Sequence, residues 1–223
     1  MKLLIAGAGG HGRVVAETAL ATREFSSVAF LDDAMSPSVT TEGWPIVGSL
    51  DRLEELASDF QVFMAGIGDA ALRVTLLGRA RKAGFRCVSI IHPTASVSKH
   101  CLLGEGTIVI AGACINVGAR IGEACIINTG ATVDHDCVLA EAVHICPGAH
   151  LAGNVTVGPR VWFGIGAVAT QSIKIGADAV IGAGSVVIHD VPANATFAGN
   201  PARGLEQRAR SKGPAQRSRR THT

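Results

Sequence analysis

Apolar positions along the chain follow two rhythms, and the change between them falls near residue 90. Before it, short apolar runs alternate with stretches whose apolar residues recur at helical spacing. Lys2–Ala6, Ser27–Leu31, Gln61–Ile67 and Arg86–Ile90 read as strands, and His11–Thr22, Ser49–Ser58 and Asp69–Ala83 as helices. In the second helix Ser49 offers an N-cap, and Leu50, Leu53, Leu56 and Ala57 form an apolar stripe. Such short alternating units predict a small parallel sheet with helices on its faces.

From Ile91 onward an apolar residue recurs every six positions, through Val97, Leu103, Val109 and Ile115 to Ile181 and Val187. Seventeen positions fall in this series, and fifteen of them are Ile, Val or Leu. Four residues after each comes a second column of small residues, from Ala95 and Cys101 to Val191, and neither column carries a charge. A helix cannot sustain a period of six, and a simple strand repeats at two. Hexads predict a parallel β-helix in which flat faces alternate with tight corners. Gly112, Gly130, Gly148, Gly166 and Gly184 stand 18 residues apart, so three hexads make one triangular coil. Nearly six coils, stacked at ~4.8 Å, give a prism roughly 27 Å long.

Composition fits so narrow an interior: 27 glycines, no tyrosine and only 4% aromatic residues. Hydrophobic residues make up 48% and charged ones 17%, which argues for a globular chain. There is no apolar run long enough for a membrane span and no secretory signal, so a cytoplasmic protein without a membrane partner is expected. Net charge is +2, but residues 205–223 hold six Lys/Arg against Glu206, leaving 2 − 5 = −3 for the body. That argues against a nucleic-acid-binding body and confines the basic character to a tail without periodicity, read as mobile. The six cysteines show no C-x-x-C pair, so reduced thiols are expected, with Cys101, Cys125 and Cys137 in the small inward column.

Gly7-Ala8-Gly9-Gly10-His11-Gly12 satisfies G-x-G-x-x-G between a strand and a helix. Its backbone N–H groups could meet phosphates at the helix N-terminus, and Asp32 and Asp33 end the next strand where a carboxylate reaches a ribose hydroxyl. A full dinucleotide site needs two such halves. Only about 89 residues precede the solenoid, so half a site fits a mononucleotide better, although the same glycines could serve only a tight strand-to-helix turn.

On the solenoid, Val133 points inward by register, which leaves Asp134 and His135 at the following corner. A corner imidazole is solvent-accessible and titrates near ~6.5, suited to taking a proton near neutral pH, and Asp136 stands beside it. One coil on is Gly153, where no side chain would block a ligand beside His135. His144 lies a face away, over ~10 Å from His135 within one chain at about 3.3 Å per strand residue. His144 and His150 occupy the same slot of successive hexads and face different directions, so a metal site with His135 is not expected. Gly148, Gly166 and Gly184, with Gly164 and Gly182, form a surface bare of side chains. His11, His92, His100 and His189 otherwise read as surface or turn residues. Cys137 is inward; Cys146, directly over Asn128, is the better candidate for an acyl-enzyme, but no histidine shares its corner.

The segments GAGGHGRVVAE, AFLDD, IHPTA, INTGATVDHDC, HICPGAHLAGNVTVG and AGNPAR together resemble the left-handed β-helix acetyltransferases of nucleotide-linked amino sugars, with the related sialic-acid O-acetyltransferases. The resemblance implies a Rossmann-like nucleotide-sugar-binding half-domain over 1–89, a left-handed parallel β-helix of hexapeptide repeats over 90–204, and a basic tail over 205–223. It implies acetyl-CoA as co-substrate, a homotrimer with sites between prisms, and His135 as general base with Asp136 raising its basicity, where Glu also occurs in the family. Gly9, Gly10, His11, Asp32, Asp33 and Gly68 would contact the nucleotide sugar. His144, Gly153, Ile165 and Ala183 would contact acetyl-CoA, whose pantetheine arm could lie along the bare glycine surface. Asn128, one hexad before the histidine motif, could hydrogen-bond either the sugar substrate or the thioester oxygen. O-acetylation of a sugar hydroxyl, a non-catalytic hexapeptide-repeat binding protein, and an NAD-dependent oxidoreductase resting on the glycine loop are the competing readings.

Overall fold

A computed structural model describes residues 1–34 and 42–205, so the basic tail beyond Leu205 lies outside the described residues. The first half is a five-stranded parallel sheet in the order β3-β2-β1-β4-β5, built from β1 (Lys2–Ala6), β2 (Ser27–Leu31), β3 (Ile46–Gly48), β4 (Val62–Ala65) and β5 (Arg86–Cys87). Helices α1 (Gly10–Ala21) and α2 (Ala70–Lys82) connect its strands. Both faces of β1 are covered, with Leu3 and Ile5 packing among Val15, Ala16 and Ala19, and Leu4 among Phe63, Leu76 and Leu77. The Asp69 carboxylate caps α2 by accepting the Leu72 N–H at 2.8 Å.

The Ser49–Ser58 helix is corrected to two short 3-10 stretches, Leu50–Arg52 and Glu54–Ser58. The Ser49 hydroxyl bonds the Asp51 carboxylate instead of capping the main chain, and the Leu50 N–H donates to Asp33 Oδ1 at 2.7 Å. The Leu50 N–H would lack an intrahelical acceptor in any helix, so Asp33 anchors the start of the segment. The residues after it make the tighter turn, with the Arg52 N–H on the Ser49 carbonyl at 3.1 Å and the Leu56 N–H on that of Leu53 at 3.3 Å. Strand β3, three residues long behind Pro45, was too short to signal itself by alternation.

From Ile90 the chain coils into three parallel sheets of two-residue strands. The first face carries Ile90–Ile91, Ile108–Val109, Ile126–Ile127, His144–Ile145, Trp162–Phe163 and Val180–Ile181 before the closing strands Thr196–Ala198 and Arg203–Gly204. The second face includes Cys114–Ile115, Thr132–Val133, His150–Leu151 and Val168–Ala169; the third includes Arg120–Ile121, Val138–Leu139 and Thr156–Val157. As far as Val168–Ala169 each strand pairs with the one 18 residues later, as Thr132 with His150 and Val133 with Leu151; the last coil is shorter, Val180 pairing with Thr196. The hexad column is the second residue of each strand, buried from Val109 to Val187. Cys125 and Cys137 are core, whereas Cys101 is only partly buried because the first coil has a neighbour on one side alone.

The two halves share their packing. Outward-pointing Ile90, Ile108 and Ile126 of the first face are buried in one cluster with Leu3, Ile5, Val15 and Ala19. Arg73 of α2, 1% exposed, crosses the junction: Nε donates to the Ala124 carbonyl at 2.9 Å and Nη2 to that of Ala142 at 2.8 Å. Its Nη1 reaches the carbonyls of Ile67 and Gly68. Main-chain acceptors thus satisfy a buried cation that would otherwise strongly oppose docking.

Candidate active site

The glycines of the first loop divide by role. Gly7 takes φ +93°, and a Cβ on Gly12 would collide with the Gly7 carbonyl, so these two serve the turn and the close approach of α1 to β1. Gly9 and Gly10 lie outside the left-handed region, and a Cβ on either would meet nothing within 4 Å. Neither strain nor packing demands glycine there, which leaves the N-terminus of α1 open, its cap without a side-chain bond. Asp32 braces this loop: Oδ2 accepts the Ala8 N–H at 2.7 Å and Oδ1 the Ala34 N–H at 2.8 Å. Asp33 holds Leu50, and Gly68 stands exposed at the end of β4 with open space where a side chain would be. Loop, Asp32 and Gly68 therefore line the carboxyl edge of the sheet, where open α/β sheets bind ligands.

His11 is not a surface residue. Its ring turns toward the solenoid, 6.1 Å from the His144 ring, and its Nε2 is buried without a hydrogen-bond partner. Burial, reinforced by the Arg73 charge, lowers its pKa to about 4. His144 is 7% exposed; its Nε2 meets Asn128 Nδ2 at 3.0 Å, and its ring lies edge-on to Trp162 at 4.5 Å. Burial, with His11 and Arg73 nearby, lowers its pKa to about 3, so both imidazoles are neutral near pH 7. The two predicted site residues His11 and His144 are thus brought together, with Asn128, where the sheet domain meets the first face.

His135 and Asp136 sit elsewhere, on the corner between the second and third faces. His135 Nδ1 stands 2.9 Å from Asp136 Oδ2. A carboxylate only accepts, so Nδ1 carries the proton and Nε2 keeps its lone pair. The short Asp reaches because its main chain is left-handed, φ 58°, and its carboxylate lies over Gly118 of the coil before, whose added Cβ would meet Asp136 Cγ at 3.3 Å. The hydrogen bond to Asp136, then the charge of Asp134, raises the His135 pKa. The space at Gly153 is filled by this imidazole itself: a Cβ there would stand 2.5 Å from His135 Cε1 and 3.0 Å from Cδ2. Gly153 is therefore kept small by the His135 ring, which occupies the space a side chain would take.

The glycine column lies on a third line, the corner between the first and second faces. Gly148, Gly166 and Gly184 are left-handed and meet nothing within 4 Å, whereas the other two corners accommodate Ala142, Arg160 and Asp178, or Asp136, Asn154 and Ser172, at similar φ. Backbone geometry alone does not require five glycines in a row. Ile165, 57% exposed, and Ala183 stack on this corner, joined by the Gly184 N–H to the Ile165 carbonyl at 2.8 Å. Gly164 and Gly182 do not belong to the bare surface, because a Cβ on either would strike the next coil. Cys146 is 3% exposed and its pKa is pushed up to about 12 by burial, which leaves it unsuited to nucleophilic attack near pH 7. Among the described residues no three His, Cys, Asp or Glu gather to hold a metal ion, and no helix is long and apolar enough to cross a membrane.

Sequence reasoning missed Arg73 and Trp162. Trp162, 42% exposed, follows His144 by one 18-residue period in the outward slot of the same face, so the coil repeat carried that signal. For Arg73 no signal existed, since its acceptors are main-chain carbonyls 51 and 69 residues away.

A half Rossmann sheet ending in an open glycine loop, joined to a hexapeptide-repeat prism bearing a carboxylate-supported histidine, defines the class of left-handed β-helix acyltransferases. Residues 2–80 match the PglD N-terminal domain family. The chain is similar to the acetyltransferase domain of PglB from Neisseria gonorrhoeae FA1090, solved in complex with acetyl coenzyme A: 40% identity, TM-score 0.88, covering 92% of this chain and 98% of that one. It is equally similar to PerB from Caulobacter crescentus, solved with CoA and GDP-perosamine: 42% identity, TM-score 0.87, 92% and 98% coverage. Over 110 residues it is 39% identical to the UDP-N-acetylbacillosamine N-acetyltransferase of Bacillus subtilis (strain 168), a match spanning 48% of this chain and half the length of that protein. The chain belongs to the hexapeptide-repeat family of nucleotide-aminosugar N-acetyltransferases.

Proposed function

We propose that this protein transfers the acetyl group of acetyl-CoA to the amine of a nucleotide-linked amino sugar. The carrying observation is the exposed His135 imidazole, its Nδ1 held by Asp136 at 2.9 Å and its Nε2 left free over Gly153. The sugar amine attacks the thioester carbonyl, Nε2 takes the amine proton, and the tetrahedral adduct collapses with release of the CoA thiolate, which the imidazolium can reprotonate. The open loop of Gly9 and Gly10, with Asp32, Asp33 and Gly68, holds the nucleotide end. The bare corner with Ile165 and Ala183 takes the pantetheine arm.

His135 and the glycine corner lie on different edges of one prism and the His11–His144 junction on the first face, which supports a homotrimer whose sites form between neighbouring chains. Exposed Leu102, Val117 and Val138 give the third face and its corner apolar surface for such contacts. Within that assembly His144, Asn128 and Gly153 of the cleft walls stand near the donor. A cytoplasmic location follows from where acetyl-CoA and nucleotide sugars meet. The Bacillus subtilis relative is an N-acetyltransferase, which favours the amine over a sugar hydroxyl. The test is turnover of His135→Ala with acetyl-CoA and a panel of nucleotide-linked amino sugars, following CoA thiol release. A loss of at least ~10²-fold in kcat is expected, and near-wild-type turnover would remove the mechanism.

A further inference from the structure

His135 has a second carboxylate neighbour that the dyad with Asp136 does not use. Asp134 Oδ1 accepts two hydrogen bonds, one from Asn116 Nδ2 at 2.7 Å and one from the His135 backbone N–H at 2.8 Å. Asn116 occupies the same slot as Asp134 one coil earlier, so the amide reaches up the stack rather than along the chain. The Asn116 bond, then the His135 N–H, holds the Asp134 carboxyl below the usual range, so it is a full negative charge near neutral pH. Its oxygen is tied to the main chain that carries the imidazole.

We propose that Asp134 and Asn116 are positioning residues for the transfer reaction: Asn116 pins the Asp134 carboxylate, and the pinned carboxylate fixes the corner at His135 and presents the ring with a second negative charge. This rests on His135 acting as the base. The charged groups whose field reaches the ring are Asp134 and Asp136, and the adjoining Cys137 thiol points inward with its pKa raised by burial. Asp136 orients Nδ1 directly. Asp134 acts through the main chain and through charge, stabilising the imidazolium that forms when Nε2 takes the amine proton.

Asp134→Asn separates the two contributions, because the amide oxygen still accepts both hydrogen bonds while the charge is gone. Without that charge the imidazolium is less stable, so the acid limb of the pH–kcat profile moves to lower pH. Plateau kcat falls by about 3- to 10-fold, well short of the ~10²-fold expected for loss of the base, with KM for both substrates unchanged. Asn116→Ala frees the carboxylate and lowers kcat similarly. The double variant falls less than the product of the singles, since both act through one contact. The position of the limb does not depend on how much variant protein folds. An unmoved limb in Asp134→Asn, with His135→Ala inactive, overturns this inference alone; an active His135→Ala overturns the base assignment and this inference with it.

Discussion

Gly153→Ala is the most informative single change, because it moves the imidazole without touching it. The new Cβ would stand 2.5 Å from His135 Cε1, with Cδ2 at 3.0 Å. Carbon–carbon contacts relax near ~3.5 Å, so the ring must shift by about 1 Å or swing off the corner. A displacement of about 1 Å from the reacting atoms costs on the order of 10²-fold, or roughly 2.7 kcal/mol in the barrier. The fold has little to lose: the main chain at Gly153 is not left-handed, and the His135 side chain is 56% exposed and free to move into solvent. Steady-state kinetics should therefore show kcat down about 10²-fold, while the thermal midpoint stays within about 2 °C of wild type. A variant with kcat within about twofold of wild type would refute the claim that this glycine seats the base. Equal losses of stability and activity would instead make Gly153 a packing residue.

Two further outcomes follow from the junction of the halves. His11 and His144 have folded pKa values of about 4 and about 3, below the ~6.5 of an unfolded histidine. The unfolded chain therefore binds more protons below pH 6.5, and their contribution to stability, complete above that pH, is lost on acidification. Urea midpoints between pH 6.5 and 5 should fall by the equivalent of about 2 kcal/mol per pH unit, and a flat profile there would show that the pair is not buried neutral. Arg73→Ala strips donors from buried carbonyls of Ala124 and Ala142 and should cost about 3–5 kcal/mol in denaturant unfolding, with earlier proteolysis near the junction. A cost under about 1 kcal/mol would show that the halves dock without it.

Local chemistry made much of this molecule legible before any coordinates. A six-residue period fits only a coil with three flat faces. The register of Val133 then puts His135 on a corner, and the left-handed φ of Asp136 brings its carboxylate to Nδ1. The strand-to-helix turn at Gly7 was legible for a similar reason, since G-x-G-x-x-G after a strand calls for the positive φ that Gly7 adopts. The Ser49 segment takes 3-10 turns instead of an α-helix, a choice between acceptors three and four residues back that apolar spacing does not record.

What the amino-acid order determined alone is what repeats: strand, corner, inward slot and the histidine they display. Only the folded chain decided that His11 leaves the surface to face His144, that Arg73 bridges to carbonyls far along the chain, and that Gly153 is kept small by a ring 18 residues earlier. Periodicity governs neighbours along one coil. Contacts between coils and between the two halves depend on which outward faces are covered when the sheet docks, and that is set by the summed burial of residues distant in sequence.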